Sequence, residues 1–455
     1  MNDILTYIDR HLDETIALLQ AFCRQPSIAA LGTGMAEMAE IVRSTLEGAG
    51  ASAELVPTGG FPVVLGRFEG SQPRTLMFYN HYDVQPPEPL ELWDSPPFAA
   101  EIREGHLYAR GVADNKGNLV ARLAAVEAWL AVRGELPLNI LFVAEGEEEI
   151  GSPNLGRFAE ANQDKLRADG CIWEAGYKDS QDHLEISLGA KGILAIDLRV
   201  QSLGRDLHSA NAAIAESATW RLIWALASLK GPDEEIRIPG FYDDVRQPDE
   251  RDRAMLAAWE HDETGRLAEF GADRFLLGLE GEALKERFLF GPTCNVCGFA
   301  SGYGGPGIKT VLPAEAAAKL DFRLVPDQDP YDILEKLRAY LDAEGFNDVE
   351  IIVEGPEPPA RTDPGDPLVA ATVAAAQRAY GNEPVVKPLM AGTGPMYELC
   401  QRWGLPAVGA GVGWIGSRSH SPNESIRLED LRQGIKHMAL IIEEFSAAGR
   451  KAGSG

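Results

Sequence analysis

Tyr79-Asn80-His81-Tyr82-Asp83 follows the apolar run Leu76 to Tyr79 and puts an imidazole and a carboxylate at a strand's C-terminal end. That is the end at which open α/β sheets hold ligands. Residues two apart point the same way on extended chain, so Asp83 can accept the spare ring N–H of His81 and fix its tautomer for metal binding. Taken alone, such a pair is commonly structural. A second segment, Arg110 to Gly117, sets Asp114 in a glycine-punctuated turn before a helix, which is also what a helix N-cap looks like. A third, Glu145-Gly146-Glu147-Glu148-Glu149, packs four carboxylates into five positions after another apolar strand. Like charges so close repel unless cations or solvent compensate, and a solvated acidic loop meets that condition as a metal would. Cys171-Ile172-Trp173-Glu174 again ends an apolar stretch in a carboxylate, and Ser419-His420-Ser421-Pro422 sets a His in a polar turn after the glycine-rich Gly409 to Gly416. Five strand-end segments thus offer metal-competent groups.

The elements that must position these groups alternate over the first 190 residues: a periodic Leu12 to Phe22, strand-like Pro62 to Phe68, Thr75 to Tyr79 and Leu138 to Val143, and a helical Asn118 to Val132. That alternation predicts an α/β fold with a central, mostly parallel sheet between helices. Near Gly192 the texture changes to an extended Ile193 to Val200, a helical Ala213 to Leu229, a strand pair Thr310 to Leu312 and Ala316 to Leu324, a helix Tyr331 to Glu344 and a strand Val349 to Val353. This order predicts a smaller α+β unit. The Pro-rich Gly355 to Pro364 reads as a connector, followed by a helix from Pro367 to Tyr380 and a closing helix from Leu428. The expected organisation is a discontinuous catalytic domain, 1–191 and 361–455, with an inserted lid and dimerisation domain, 192–360. The stretch 447–455 is expected to fray.

Composition narrows the chemistry. A formal charge of -27 repels nucleic acid and anionic lipid and favours divalent cations as partners. There is no apolar run of about 18 residues and no signal-peptide pattern, so a cytoplasmic location is expected. Five sparse cysteines suit a reducing compartment; Cys294 and Cys297 form a lone CxxC without a second pair, which reads as incidental to metal binding. Gly302 to Gly307 and Gly411 to Gly416 formally fit GxGxxG, but neither opens a helix, which a dinucleotide site requires. HExxH, GxSxG and Walker sequences are absent.

His81 to Pro86, Gly111 to Gly117, Glu148 to Ser152, Asp206-Leu207-His208-Ser209 and Ser419 to Glu424, in this order from about Leu12 to Leu440, resemble the signature segments of the carnosine dipeptidase branch of the co-catalytic zinc metallopeptidases. That family includes carboxypeptidase G, acetylornithine deacetylase, succinyl-diaminopimelate desuccinylase and aminoacylase. The resemblance implies two divalent metal ions, zinc first with manganese or cobalt compatible with so oxygen-rich a set. It implies that His81 and Glu174 each hold one metal on opposite sides, that Asp114 bridges, and that His420 joins one set and Glu149 the other. Glu148 would be the general base, with Asp83 orienting His81. Asn115 stands where a second Asp is common in the family, and Glu174 where this branch often has Asp.

The same resemblance implies that His208 reaches into a partner subunit's site as an oxyanion donor, and hence a homodimer. It also implies that Arg323, Thr310 and Gly392-Thr393-Gly394 contact the substrate, an Arg fork being well matched to a terminal carboxylate. The expected activity is hydrolysis of dipeptides or C-terminal peptide bonds. N-acyl amino acid deacylation with the same metals is the nearest alternative, and a catalytically idle binding module would require the loss of a ligand or of the base.

Overall fold

The computed structural model describes residues 1–452, with side chains as far as Ala448. Eight strands form the larger sheet: β1 (Ser52–Val56), β2 (Val63–Phe68), β3 (Thr75–His81), β4 (Asn139–Glu145), β5 (Gly170–Trp173), β6 (Glu185–Ser187) and, after an excursion into a second sheet, β11 (Val385–Lys387) and β12 (Ala407–Gly409). Their order is β1-β2-β4-β3-β5-β12-β6-β11. The centre is parallel, β3 pairing with β4 and β5, and β5 with β12.

Both faces of that centre are covered, as parallel sheets require, and the period of two along each strand decides which residue goes where. On β3, Leu76 and Phe78 enter one core with the helix α1 (Gly117–Arg133) and the later helices α4 (Pro367–Tyr380) and α5 (Leu428–Ala452). Met77 and Tyr79 enter the opposite core with Leu155, Phe158, Leu399 and Leu405. Asp366 caps α4 by accepting the Leu368 N–H at 2.8 Å, with Pro367 at its first position, a favourable start for a helix.

The smaller sheet is antiparallel and comprises β7 (Gly192–Gln201), β8 (Thr293–Ser301), β9 (Glu315–Leu324) and β10 (Glu350–Glu357), in the order β8-β9-β7-β10. The helices α2 (Ala218–Leu229) and α3 (Pro330–Ala343) pack on it through Leu222, Ala225, Leu229, Ile333, Leu337 and Leu341.

Three expectations change. Val311–Leu312 pairs with Leu207–His208 and not with the Ala316 to Leu324 strand, because Pro313 and Ala314 carry the chain away from that ladder. Residues 355–364 are not a plain connector, since β10 continues to Glu357 and Ala360–Arg361 pairs with Gly189–Ala190. The stretch 447–455 expected to fray is helical as far as Ala452, and Gly453 to Gly455 lie outside the described residues. Among the described residues no helix is long and apolar enough to cross a membrane.

Candidate metal centre

The C-terminal ends of β3, β4 and β5 deliver His81, the 148–149 turn and Glu174 to one place. The loop before α1 brings Asp114, and the turn after Gly413–Trp414 brings His420. Asp114 Oδ1 lies 3.0 Å from His81 Nε2, while its other oxygen, Oδ2, lies 3.2 Å from His420 Nε2. Glu174 Oε1 is 3.8 Å and Glu148 Oε2 4.0 Å from His81 Nε2. Glu149 Oε2 is 3.1 Å from His420 Nε2, yet it has no hydrogen-bond partner.

Two donor sets therefore share Asp114. His81 and Glu174 stand on one side, and His420 and Glu149 on the other. The resemblance implied that His81 and Glu174 are divided between the two metals; in the structure Glu174 lies beside His81, and His81 also lies within reach of Asp114 and Glu149. The parallel neighbours β3 and β5 place the ends of those strands side by side, so their terminal residues face the same position.

The electrostatics fit a cation pair. Burial, then repulsion from Glu174, pushes the Glu148 carboxyl well above its ordinary range. Burial likewise raises Glu174 to about 7. The Asp114 carboxylate and then that of Glu149, both close to its Nε2, raise His420 to about 10. For His81, burial opposes the charge, but Asp114 and Asp83 outweigh it and raise the pKa. For Asp114, burial is outweighed by His420 and His81, which hold it below the usual carboxylate range. A donor set whose carboxyls retain protons and whose imidazoles carry charge is one that divalent cations relieve. Glu174 and His420 also have φ of 23° and 62°, left-handed conformations that cost roughly 1–3 kcal/mol and persist where surrounding structure over-determines them.

The supporting contacts differ in detail from those expected. His81 Nδ1 lies 3.1 Å from the backbone carbonyl of Asp83, nearer than the Asp83 carboxylate at 3.4 Å. Asp83 Oδ2 instead accepts the Glu149 N–H at 2.9 Å, so this carboxylate positions the turn that carries the acidic pair. Asn115 donates to the Glu174 carbonyl at 3.0 Å and accepts from Asn80, a tie that needs its amide.

Sequence reasoning missed two residues. Arg122, buried on α1, donates to the carbonyls of Trp173 (3.0 Å), Glu174 (2.9 Å) and Ala410 (3.2 Å), to Asn80 Oδ1 (2.9 Å) and to the Tyr79 carbonyl. Its signal was an arginine in the otherwise apolar face of that helix. Glu424 pairs with Arg110 at 2.8 Å and accepts the N–H groups of Gly111, Ala113 and Asp114. At Gly111, φ is 83° and an added Cβ would lie 2.3 Å from Val84 Cγ1, so the loop needs glycine there.

Arg323 donates to Thr393 Oγ1 at 2.7 Å. An added Cβ at Gly394 would lie 3.4 Å from Glu174 Oε2 and 3.9 Å from Glu148 Oε1. The 392–394 segment thus joins Arg323 to the cluster. Gly392 accepts the Lys191 N–H through its carbonyl. His208 and Thr310 form a separate pair, Nε2 to Oγ1 at 3.3 Å, and among the described residues their side-chain hydrogen bonds do not reach the cluster. Cys294 is buried and Cys297 exposed, on β8; Cys23, Cys171 and Cys400 are buried.

The chain is similar to several known proteins over three quarters of its length or more. It is 26% identical over 486 aligned positions to the Beta-Ala-His dipeptidase of Rattus norvegicus, covering 100% of this chain and 98% of that one. It is 28% identical to the Cys-Gly metallodipeptidase dug1 of Schizosaccharomyces pombe, covering 75% of each. Among solved structures, the M20 family metallo-carboxypeptidase Sso-CP2 of Sulfolobus solfataricus superimposes with a TM-score of 0.92 at 40% identity, over 95% of this chain and 99% of that one. The pattern of peptidase family M20/M25/M40 matches residues 77–444, a span that holds every group of the cluster, and the chain belongs to that family.

Proposed function

We propose that this chain is a dinuclear metal-dependent peptidase that cleaves dipeptides or C-terminal peptide bonds. The observation that carries it is Asp114, which turns one carboxylate oxygen toward each of two histidines, each with its own glutamate beside it. His81 and Glu174 would hold one ion, His420 and Glu149 the other, with Asp114 shared; zinc is the expected metal, and manganese or cobalt suits the oxygen donors. The chemistry that two bound divalent ions supply is Lewis acidity toward a carbonyl oxygen and activation of a water.

Glu148 lies beside both Glu174 and His81, within reach of the same position; in this reading it is the base, and its carboxylate accepts the proton of the attacking water and delivers it to the leaving amine. Arg323 and Thr393 bind the substrate carboxylate, with the backbone of Gly392 and Gly394 lining its path. His208 accepts the Ala210 N–H on Nδ1 at 3.1 Å, which leaves Nε2–H as its donor. In a homodimer formed through residues 192–360, that donor serves the other chain's site, where it holds the developing oxyanion, and Thr310 beside it contacts the substrate. Residues 1–191 and 361–455 then form the catalytic domain, and 192–360 the lid.

The test is metal analysis joined to a substrate panel. Active protein is expected to hold two divalent ions per chain, to lose turnover on chelation and to regain it with zinc, manganese or cobalt. Dipeptides are expected to be cleaved faster than N-acetyl or N-succinyl amino acids. Fewer than one ion per active chain would refute the dinuclear scheme, and faster deacylation than dipeptide cleavage would refute the peptidase assignment.

A further inference from the structure

Beside Arg323 lies a cavity of about 480 Å³ that the metal cluster does not use. Phe270, Phe275, Leu279, Leu284 and Phe288 line it, from the helices Glu263–Phe270 and Gly281–Phe290 and the turn between them. Phe270 and Phe288 are 58% and 38% exposed, so the chain itself does not close over this apolar lining. Lys191, Arg274, Arg287 and Arg323 stand around it, while Lys230 is already paired with Glu234 at 2.7 Å. Five cations against one carboxylate is the reverse of a chain with 69 acidic and 42 basic residues.

Among the described residues, none of the first four cations makes a salt bridge. Arg323 binds the Thr393 hydroxyl, and Lys191 Nζ donates to the Gly291 carbonyl at 2.7 Å. Burial, then the nearby charges of Arg323 and Arg287, lowers the Lys191 ammonium to about 8, which reports how closely like charges are gathered. The cavity and the cluster are neighbours: Arg323 of its lining bonds Thr393, and the next residue, Gly394, has Glu174 and Glu148 on its side-chain face.

An anion alone would leave the phenylalanine and leucine wall wet, and an apolar group alone would leave the cations without a counter-charge. With the substrate carboxylate at Arg323, as assigned above, and Lys191 and Arg287 adding positive charge beside it, we propose that the cavity takes the side chain of the substrate's C-terminal residue, a bulky apolar one such as phenylalanine or leucine, packed against the Phe275, Leu284 and Phe288 wall. This rests on the peptidase assignment for the bond that is cleaved, but the residue seated here is the same in a peptide or an N-acyl amino acid.

The experiment compares kcat/KM for Ala-Phe, Ala-Leu, Ala-Gly and Ala-Phe-amide with that for N-acetyl-Phe and N-acetyl-Gly. Phe and Leu are expected to exceed Gly by about tenfold or more in whichever series is cleaved, and amidation to cost about 100-fold or more. F288A and, separately, L276D, at Leu276, which also lines the cavity and is 56% exposed, leave the folded core untouched and are expected to narrow the Phe-to-Gly ratio, chiefly through KM. Calorimetry with 3-phenylpropionate, acetate and 2-phenylethylamine supplies a readout that needs no turnover, and only the first is expected to bind appreciably. Equal rates for Phe and Gly, or equal binding of the three probes, would overturn the proposal. Cleavage confined to the N-acetyl series with the Phe preference intact would overturn the peptidase assignment and leave this one standing.

Discussion

Glu424→Gln probes whether the loop that carries Asp114 is held from behind. The Glu424 carboxylate accepts the N–H groups of Gly111 (2.9 Å) and Ala113 (2.9 Å), that of Asp114 (3.1 Å), and Arg110 Nη1 (2.8 Å), and both side chains of the ion pair are 1% exposed. Glutamine keeps the volume but replaces one acceptor oxygen with a donor. Placed at Oε2, the new NH₂ faces Arg110 and Gly111; placed at Oε1, it faces Ala113 and Asp114. Either orientation leaves two buried donors unmet. At about 1–3 kcal/mol for each unmet group, and about 3–5 kcal/mol for a broken buried pair, the overlapping losses come to about 3–5 kcal/mol.

The assay is urea unfolding of metal-free native and variant protein at pH 8, followed by Trp fluorescence, since buried Trp173 borders the cluster. A parallel calorimetric zinc titration is expected to show at least about tenfold weaker affinity, because outer contacts that orient a ligand typically govern metal affinity on that scale. A transition within about 0.5 kcal/mol of native, with unchanged zinc affinity, would show that the Asp114 loop holds its shape without Glu424.

Glu148→Gln is expected to keep both metals and the fold while lowering kcat by about 100-fold or more, whereas Glu149→Gln is expected to lower metal affinity; identical behaviour in both assays would contradict the division of roles. Mixing inactive His208→Ala with inactive Glu148→Gln protein is expected to restore partial activity in heterodimers, confirmed by tagged pull-down, because one site then has both a native base and a native lid histidine. His437 is buried with Nε2 3.0 Å from the Thr372 carbonyl, and burial lowers its pKa to about 4. Below about pH 6.5 the unfolded chain binds a proton that the folded chain refuses, so stability falls as pH drops toward 4, by about 3 kcal/mol in full. His437→Gln is expected to remove this dependence, so the native-minus-variant difference in urea midpoint shrinks as pH falls from 7 to 4.5; a difference that does not change with pH would refute the assignment.

The parts of this fold that were legible in the sequence are those whose signals are local. The run Leu76 to Tyr79 marks a buried strand and so places His81 at its end. Asp366-Pro367 announces a helix start, and that helix runs from Pro367 to Tyr380 as read. The helix Glu263–Phe270, by contrast, buries none of its residues and offers no apolar stripe facing a core, so this wall of the cavity went unseen. Which glutamate accompanies which histidine was likewise illegible, because it follows from strand order, a tertiary property. The same holds for Glu424, 310 residues from the Asp114 whose N–H it accepts.

The buried cations behind the cluster bear on why it is so acidic. Arg122 directs its guanidinium at backbone carbonyls and Asn80, Lys116 Nζ bonds the carbonyls of Phe22 and Gln25, and Arg110 pairs with Glu424. Among the described residues, the ion pairs of Asp83, Asp114, Glu148, Glu149 and Glu174 are with histidine alone, never with lysine or arginine. Buried carboxylates with a purely structural task are ordinarily matched by a fixed cation, since an unmatched one costs several kcal/mol. Here three cations lie close behind, and each is turned to the scaffold that holds the strand ends and the Asp114 loop. The protein's own positive charges thus fix the geometry of the cluster and leave its negative charge to be balanced from outside the chain, which is what a site built to take up divalent cations requires.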